Sequence, residues 1–306
     1  MAFQHQAFLY DSADEFVTTL APFIRDGLER GDTVFAATNP ANVDALREEL
    51  GPDSSLFELH DTTEWCTQPY ARLQAFKRLA GSVRSGTTLR AMGEPVWSGS
   101  DAVLRQWARY ESIINLALAG APMRFICLYD ESRLPDAILE VAGNTHPERV
   151  DGGGGDVGSP EFVPPHEFNP GSAPEPPSDA VALPMDNHAF REAVGAYALE
   201  AGLQGDRADD FVLATHELAA NALQHGSAPR RAHIWTSDGE LVCQVTDSGA
   251  GIADPLAGWL PPSLSELGGW GLPIARQLCD AIEVGSGERG ATVTAYASLT
   301  APAELA

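Results

Sequence analysis

His216-Glu-Leu-Ala-Ala-Asn-Ala-Leu-Gln-His-Gly226, Asp247-Ser-Gly-Ala-Gly-Ile252 and Gly268-Gly-Trp-Gly-Leu272 are three blocks of one stretch, and the rest of the chain is arranged around them. The first block closes a helical pattern. Residues 208–223 hold no Pro or Gly, and Phe211, Val212, Leu218, Ala219, Ala222 and Leu223 recur at helical spacing. Gly226 stops the helix at its C-terminus. Glu217 and Asn221 are four residues apart, so both project from one helical face. A carboxylate can take a proton, and an amide oxygen suits Mg²⁺, a hard ion that prefers oxygen and also binds phosphates. On this block alone a solvated face with an ordinary i,i+4 pair is the better reading.

The second block follows a short strand pattern over residues 241–245, where Leu241, Cys243 and Val245 alternate with Val242 and Gln244. Asp247 at its end can accept a hydrogen bond from an amino group such as that of adenine. Gly249 and Gly251 let backbone turn and approach a flat ligand; a plain tight turn fits the same residues. The third block opens a helix over residues 272–279. Free N–H groups at a helix start attract anions, and Gly269 and Gly271 leave room for phosphate oxygens. Read alone, it is equally a flexible loop before a core helix.

Taken in order, the blocks resemble the N, G1 and G2 boxes of the ATPase domain shared by gyrase, Hsp90, histidine kinases and MutL. Gly290-Ala-Thr292, leading into a strand at 293–297, resembles that family's closing Gly-x-Thr. Within the superfamily the likeness is to the small anti-sigma-factor serine kinases of Gram-positive bacteria, over about residues 180 to 300. The resemblance implies a Bergerat-type α+β fold, a mixed sheet with helices on one face. It implies ATP and Mg²⁺ as cofactors, with Asn221 on Mg²⁺ and Glu217 as general base. Asp247, supported by Thr292, would hold the adenine amino group. Gly249 and Gly251 would line the adenine, and Gly269 and Gly271 would receive the phosphates. Residues 253–267 would form a lid, an apolar one because of Trp259, Leu260, Pro261 and Pro262; it is expected to pack on a partner or on the other domain. The implied partners are an anti-anti-sigma protein of the STAS type and a sigma factor, and such kinases tend to form homodimers.

The chain has 306 residues, enough for two domains, and is 44 % hydrophobic and 20 % charged, as a globular protein is. Its net charge of −24 opposes binding to nucleic-acid phosphate. The first residues lack a basic region and an apolar core, and no run is long enough to span a bilayer, so a cytoplasmic location without membrane contact is expected. Cys66, Cys127, Cys243 and Cys279 form no C-x-x-C pair and read as free thiols.

The first 150 residues alternate between helix patterns (14–30, 40–50, 70–83, 102–118, 135–142) and strand patterns (33–37, 88–92, 124–128). That alternation predicts an α/β sandwich with a mainly parallel sheet. After the first buried strand comes Thr38-Asn-Pro-Ala where a P-loop would need Gly-Lys-Ser/Thr, so no Walker A site is present. Several residues exceed what packing needs: His5, Tyr10, Glu94, Trp97, Tyr110, Glu111, Asn115, Cys127, Tyr129, Asp130 and His146. Their order (His-x-x-x-x-Tyr, Gly-Glu-x-x-Trp, Arg-Tyr-Glu-x-x-x-Asn, Cys-x-Tyr-Asp, Thr-His-Pro) resembles the MEDS (DcmR-type) sensory domain. That likeness implies a RecA- or KaiC-like fold and a small-molecule ligand of the hydrocarbon-derivative class. The plain alternative has Glu94, Glu111 and Asp130 capping helices or pairing with Arg90, Arg109 and Arg133, and His5 and His146 as surface histidines. No metal-type spacing is present, so a metal site is not expected.

Residues 151–179 are rich in Gly and Pro and read as a linker between a sensory domain at 1–150 and an ATPase domain at 180–306. The expected function is a ligand-responsive regulator whose second half is an ATP-dependent serine/threonine kinase. A histidine kinase is the alternative enzyme, but it needs an exposed His on a helical hairpin, which this linker cannot form; His146-Pro-Glu-Arg only loosely fits a phospho-acceptor box. A third reading is a nucleotide sensor or docking protein without transfer.

Overall fold

The computed structural model describes residues 3–151, 154–262, 268–287 and 290–300. It forms two compact units, Met1–Ser98 with Trp107–Phe168, and Gly99–Gln106 with Asn169–Ala306.

The first unit is an α/β layer structure. Its strands are β1 (Gln4–Tyr10), β2 (Thr33–Thr38), β3 (Glu58–Asp61), β4 (Leu89–Gly93), β5 (Met123–Asp130), β6 (Glu148–Val150) and β7 (Asp156–Gly158), in the order β3-β2-β4-β5-β1-β6-β7. All neighbours are parallel except β6 and β7. The helices are α1 (Ala13–Arg30), α2 (Pro40–Leu50), α3 (Pro69–Ser82), α4 (Asp101–Ala117) and α5 (Asp136–Thr145). Local signals set their ends. Ser12 caps α1 by accepting from the Glu15 N–H, and Gly31, at φ 72°, ends it. Pro40 opens α2 behind the Asn39 cap.

Strand residues alternate between two cores. Val34 and Ala36 join Phe8, Phe16, Leu20, Ile24 and Ile126 on one side. Phe35 meets Phe76 on the other, with Phe76 in turn 4.4 Å from Phe125. The parallel sheet agrees with the expectation, but β1, its inner strand beside β5, escaped the sequence reading. A buried parallel strand is usually a continuous apolar run, and β1 begins Gln-His-Gln. Those polar groups are satisfied internally: Gln6 donates to Asp156 Oδ1 at 2.8 Å, and the His5 ring meets Asn115.

The second unit contains β8 (Val181–Ala182), α6 (Asn187–Glu200), α7 (Asp206–His225), β9 (Arg231–Ser237), β10 (Glu240–Thr246), α8 (Gly271–Leu278), β11 (Ala281–Gly287) and β12 (Gly290–Ser298). The sheet order is β11-β12-β10-β9-β8. Every pairing among the described residues is antiparallel, which departs from the mixed sheet expected. Asp238 and Gly239, at φ 51° and 79°, make a two-residue hairpin that reverses β9 directly into β10. One sheet face carries Ile234, Leu241, Cys243, Val245 and Ala295. Against it pack Phe190 and Val194 of α6, Phe211, Ala214 and Leu218 of α7, and Ala275 of α8. Burying side chains such as Phe190 and Phe211 is worth roughly 1.5–3 kcal/mol each and fixes α7 over the sheet. The opposite face of α7 is then free to carry Glu217 and Asn221.

Candidate functional site

Glu217 and Asn221 stand one turn apart on α7, as their spacing predicts. Across from them, α8 begins at Gly271. A methyl group there would lie 2.8 Å from Asn221 Nδ2 and 3.1 Å from Glu217 Oε2, so glycine leaves both side chains room against the start of α8. Asp247 follows β10 directly, with its backbone N–H donating to Ala291 O of β12 at 3.0 Å. Its Oδ1 accepts from the Gly249 N–H at 2.6 Å, which fixes the carboxylate. Gly226 closes α7 against it, where an added Cβ would meet Asp247 Cγ at 2.5 Å.

Together these elements enclose a cavity of about 330 Å³ lined by Asn221, Asp247, Gly251, Gly269 and Gly271. That is at the lower end of the usual volume of small-molecule sites. Its chemistry is graded. Leu218, Val245, Ile252, Leu272 and Val293 give apolar walls, and Asn221, His225 and Asp247 supply polar groups. The other predicted residues sit beside it. Glu217 is at the wall next to Gly271, with its side chain 30 % exposed. Gly249 serves Asp247 rather than lining the cavity. Thr292, paired with Thr246 across the sheet, lines a more open hollow that shares Asp247 with the first.

Sequence reasoning missed three supports. Arg230 donates to Ala222 O at 2.7 Å and Gly226 O at 2.6 Å, satisfying carbonyls at the end of α7. Ser286 Oγ accepts from the Ile252 N–H at 2.7 Å and braces the Gly251 turn. His225 lines the cavity from the last turn of α7. Of these only Arg230, a base just past a helix end, left a readable signal. The expected lid is described over residues 253–262, while 263–267 lie outside the described residues. Trp259 is buried, with the Arg276 guanidinium of its own unit 4.2 Å over its ring.

The candidates of the first unit split into groups. Glu94 accepts from Thr38 Oγ1 at 2.6 Å and from the Asn39 N–H at 2.8 Å, and Tyr10 Oη accepts from Asn42 at 2.8 Å. These form a polar cluster at the start of α2. Asp130 folds back on Ser132. Arg90 pairs with Asp26 and Asp32 rather than with Glu94. Trp97 meets Tyr129 at 6.2 Å, and Tyr110 packs edge-on against Trp107.

The remainder converge. His5 and His146, both ligand-sensing candidates by the sequence, are buried with ring centroids 3.9 Å apart, which sets aside the alternative of two surface histidines. The reason is topological: β1 lies between β5 and β6, so the first strand meets the residues just before β6. Glu111 Oε2 lies 3.5 Å from His5 Nε2 and 3.3 Å from His146 Nε2, and Cys127 Sγ lies 3.4 Å from His5 Nε2. Burial, then the neighbouring His146 ring, bring the His5 imidazole down to about 4, and burial pushes the Cys127 thiol well up. The burial of His146 also removes it as an exposed phospho-acceptor. All four cysteines are free.

The chain is thus built in two parts, an α/β unit with an interior polar cluster and an antiparallel-sheet unit with a glycine-framed cavity. Comparison with known proteins agrees. Residues 4–147 match the MEthanogen/methylotroph, DcmR Sensory domain (MEDS), and residues 180–297 match the histidine kinase-like ATPase domain. The chain therefore carries a MEDS domain followed by a histidine kinase-like ATPase domain. The crystal structure of the RsbU and RsbW domains of Rv1364c from Mycobacterium tuberculosis is similar at 24 % identity over 44 % of this chain, with a TM-score of 0.31. The match covers 35 % of that protein's chain, about a third of its length. No curated protein is detectably similar. Among the described residues, no helix is long and apolar enough to cross a membrane.

Proposed function

We propose that the second unit is an ATP-dependent protein serine/threonine kinase of the anti-sigma regulatory type, with a Bergerat-type nucleotide site, and that the first is a RecA- or KaiC-like domain that senses a small molecule. The observation that carries the reading is the single cavity that gathers Asn221, Asp247, Gly251, Gly269 and Gly271, with Glu217 at its wall. The donor set fits the cofactors. Asn221 offers an amide oxygen of the kind Mg²⁺ accepts, Asp247 offers a held carboxylate for an adenine amino group, and the start of α8 faces both α7 side chains. Magnesium bound there would neutralise phosphate charge.

The protein's own residues do the rest. Glu217 is exposed enough to meet the hydroxyl of a docked protein and orient it or take its proton. The N–H groups at the start of α8 hold the phosphate oxygens in place. Phosphoryl transfer depends mostly on positioning and charge neutralisation, so few residues suffice. The partners this reading requires are a serine-bearing anti-anti-sigma protein of the STAS type and, in the unphosphorylated branch, a sigma factor. A ligand of the first unit alters output only if it binds one state of the protein better than another.

Incubation with γ-labelled ATP and a STAS-type protein tests the reading. The expected product is label on the STAS protein that survives acid and is lost in alkali, as a serine phosphate is. Acid-labile, alkali-stable label on this chain would replace the reading with a histidine kinase.

A further inference from the structure

The buried cluster of the first unit has a hydrogen-bond pattern that packing alone does not account for. Asn115 Nδ2 donates to the carbonyls of Ser112 and Thr145, both at 2.9 Å, which turns its oxygen toward His5 Nδ1 at 3.1 Å. His5 Nδ1 must therefore carry the hydrogen, leaving a lone pair on Nε2. His146 Nδ1 lies 2.8 Å from Ala142 O, a pure acceptor, so it too carries a hydrogen, and the neutral ring then holds a lone pair on Nε2. Both lone pairs turn inward to the Glu111 carboxylate and Cys127 sulfur. With both rings neutral, these four inward-facing atoms, all within 4.8 Å of one another, share one hydrogen, the Cys127 S–H. Neither Glu111 oxygen nor His146 Nε2 has a hydrogen-bond partner among the described residues. The buried Arg72 is not the counter-ion, because it directs its donors at Cys66 O, Glu94 O, Thr62 Oγ1 and Trp65 O. An interior that leaves such atoms unpaired is costly.

We infer that His5, Glu111, Cys127 and His146 form a binding site for one divalent transition-metal ion of the Zn²⁺ class. Two imidazoles, a carboxylate and a thiolate are a borderline-soft donor set of the kind Zn²⁺ takes in tetrahedral geometry. Bonds of about 2.0–2.3 Å in a tetrahedron place ligand atoms about 3.3–3.8 Å apart. The observed separations of 3.5, 3.3 and 3.4 Å fall in that range. Ring nitrogens hydrogen-bonded on the far side to Asn115 and Ala142 are the usual outer support of metal-bound histidines. On binding, the Cys127 thiol releases its proton to solvent and the sulfur bonds the ion as thiolate. The ligands come from β1, α4, β5 and the end of α5, so no short sequence motif announces the site. An ion here ties the first strand of the unit to its last helix.

The test uses the full-length, untagged protein. Purified from zinc-supplemented culture and dialysed against metal-free buffer, it is expected to retain about one Zn²⁺ per chain by mass spectrometry. After replacement with Co²⁺, a sulfur-to-cobalt charge-transfer band is expected, which Cys127→Ser removes while the ion stays bound. Asn115→Ala touches no proposed ligand bond and is expected to lower Zn²⁺ affinity by about 10–100-fold. This keeps the test decisive if Cys127→Ser fails to fold. Folded wild-type protein without Zn²⁺, a charge-transfer band that survives Cys127→Ser, or unchanged Zn²⁺ affinity in Asn115→Ala would each overturn the assignment.

Discussion

Glu217→Gln is expected to lower phosphoryl transfer to a STAS-type protein by about 10²–10⁴-fold, the usual contribution of a positioned proton acceptor. The substitution keeps the size of the side chain and its place on α7, one turn from Asn221, and removes its charge and its ability to take a proton. Glu217 sits at the cavity wall rather than within its lining, so ATP affinity should change by less than about threefold. The loss should therefore fall on the chemical step and not on nucleotide binding. Single-turnover transfer at saturating ATP, with nucleotide affinity measured in parallel, separates the two. Transfer at the wild-type rate would remove Glu217 from the chemistry. No transfer by the wild-type protein itself would leave the second unit as a nucleotide sensor or docking module.

Gly290→Ala is expected to destabilise the second unit by about 3–5 kcal/mol, at the severe end for a single substitution. Gly290 adopts φ 112°, which side-chain-bearing residues rarely do, and an added Cβ would overlap the Asp247 carbonyl oxygen. The obstruction is backbone on both sides and cannot swing away. The same displacement would move Asp247, so nucleotide affinity should fall along with stability. Gly287, paired with Gly290 across the β11–β12 hairpin, has open space around its Cβ position, and Gly287→Ala is the control. Thermal unfolding of the two variants, followed with and without ATP, checks the contrast. Equal melting profiles would show that the turn adapts.

Much of the site was legible because its residues are held by local rules. The i,i+4 spacing of Glu217 and Asn221 needed only a helix, and α7 supplies it. The glycines of the second and third blocks marked close approaches that the structure shows at Gly251 and Gly271, while the close approach at Gly226 was read only as a helix stop. What could not be read depends on partners distant in sequence. Thr292 appeared to belong with Asp247, and the sheet register places it beside Asp247 but facing the neighbouring hollow. The β9–β10 pairing is antiparallel because Asp238-Gly239, a hairpin signal in the sequence, turns one strand directly into the next. The four-residue cluster of the first unit was least legible. His5 and His146 are far apart along the chain, and only the insertion of β1 between β5 and β6 brings their rings together. Strand order, unlike helix spacing, is not written in any one segment.

The central claim is that the glycine-framed cavity of the second unit binds ATP with Mg²⁺ on Asn221, and titration calorimetry of the full chain tests it most directly. Wild-type protein is expected to bind ATP with an affinity that rises when Mg²⁺ is present. Asn221→Ala should lose that dependence and at least about tenfold in affinity, equivalent to 1.4 kcal/mol. ATP binding that is indifferent to both Mg²⁺ and Asn221, or no ATP binding by the folded wild-type chain, would contradict the account.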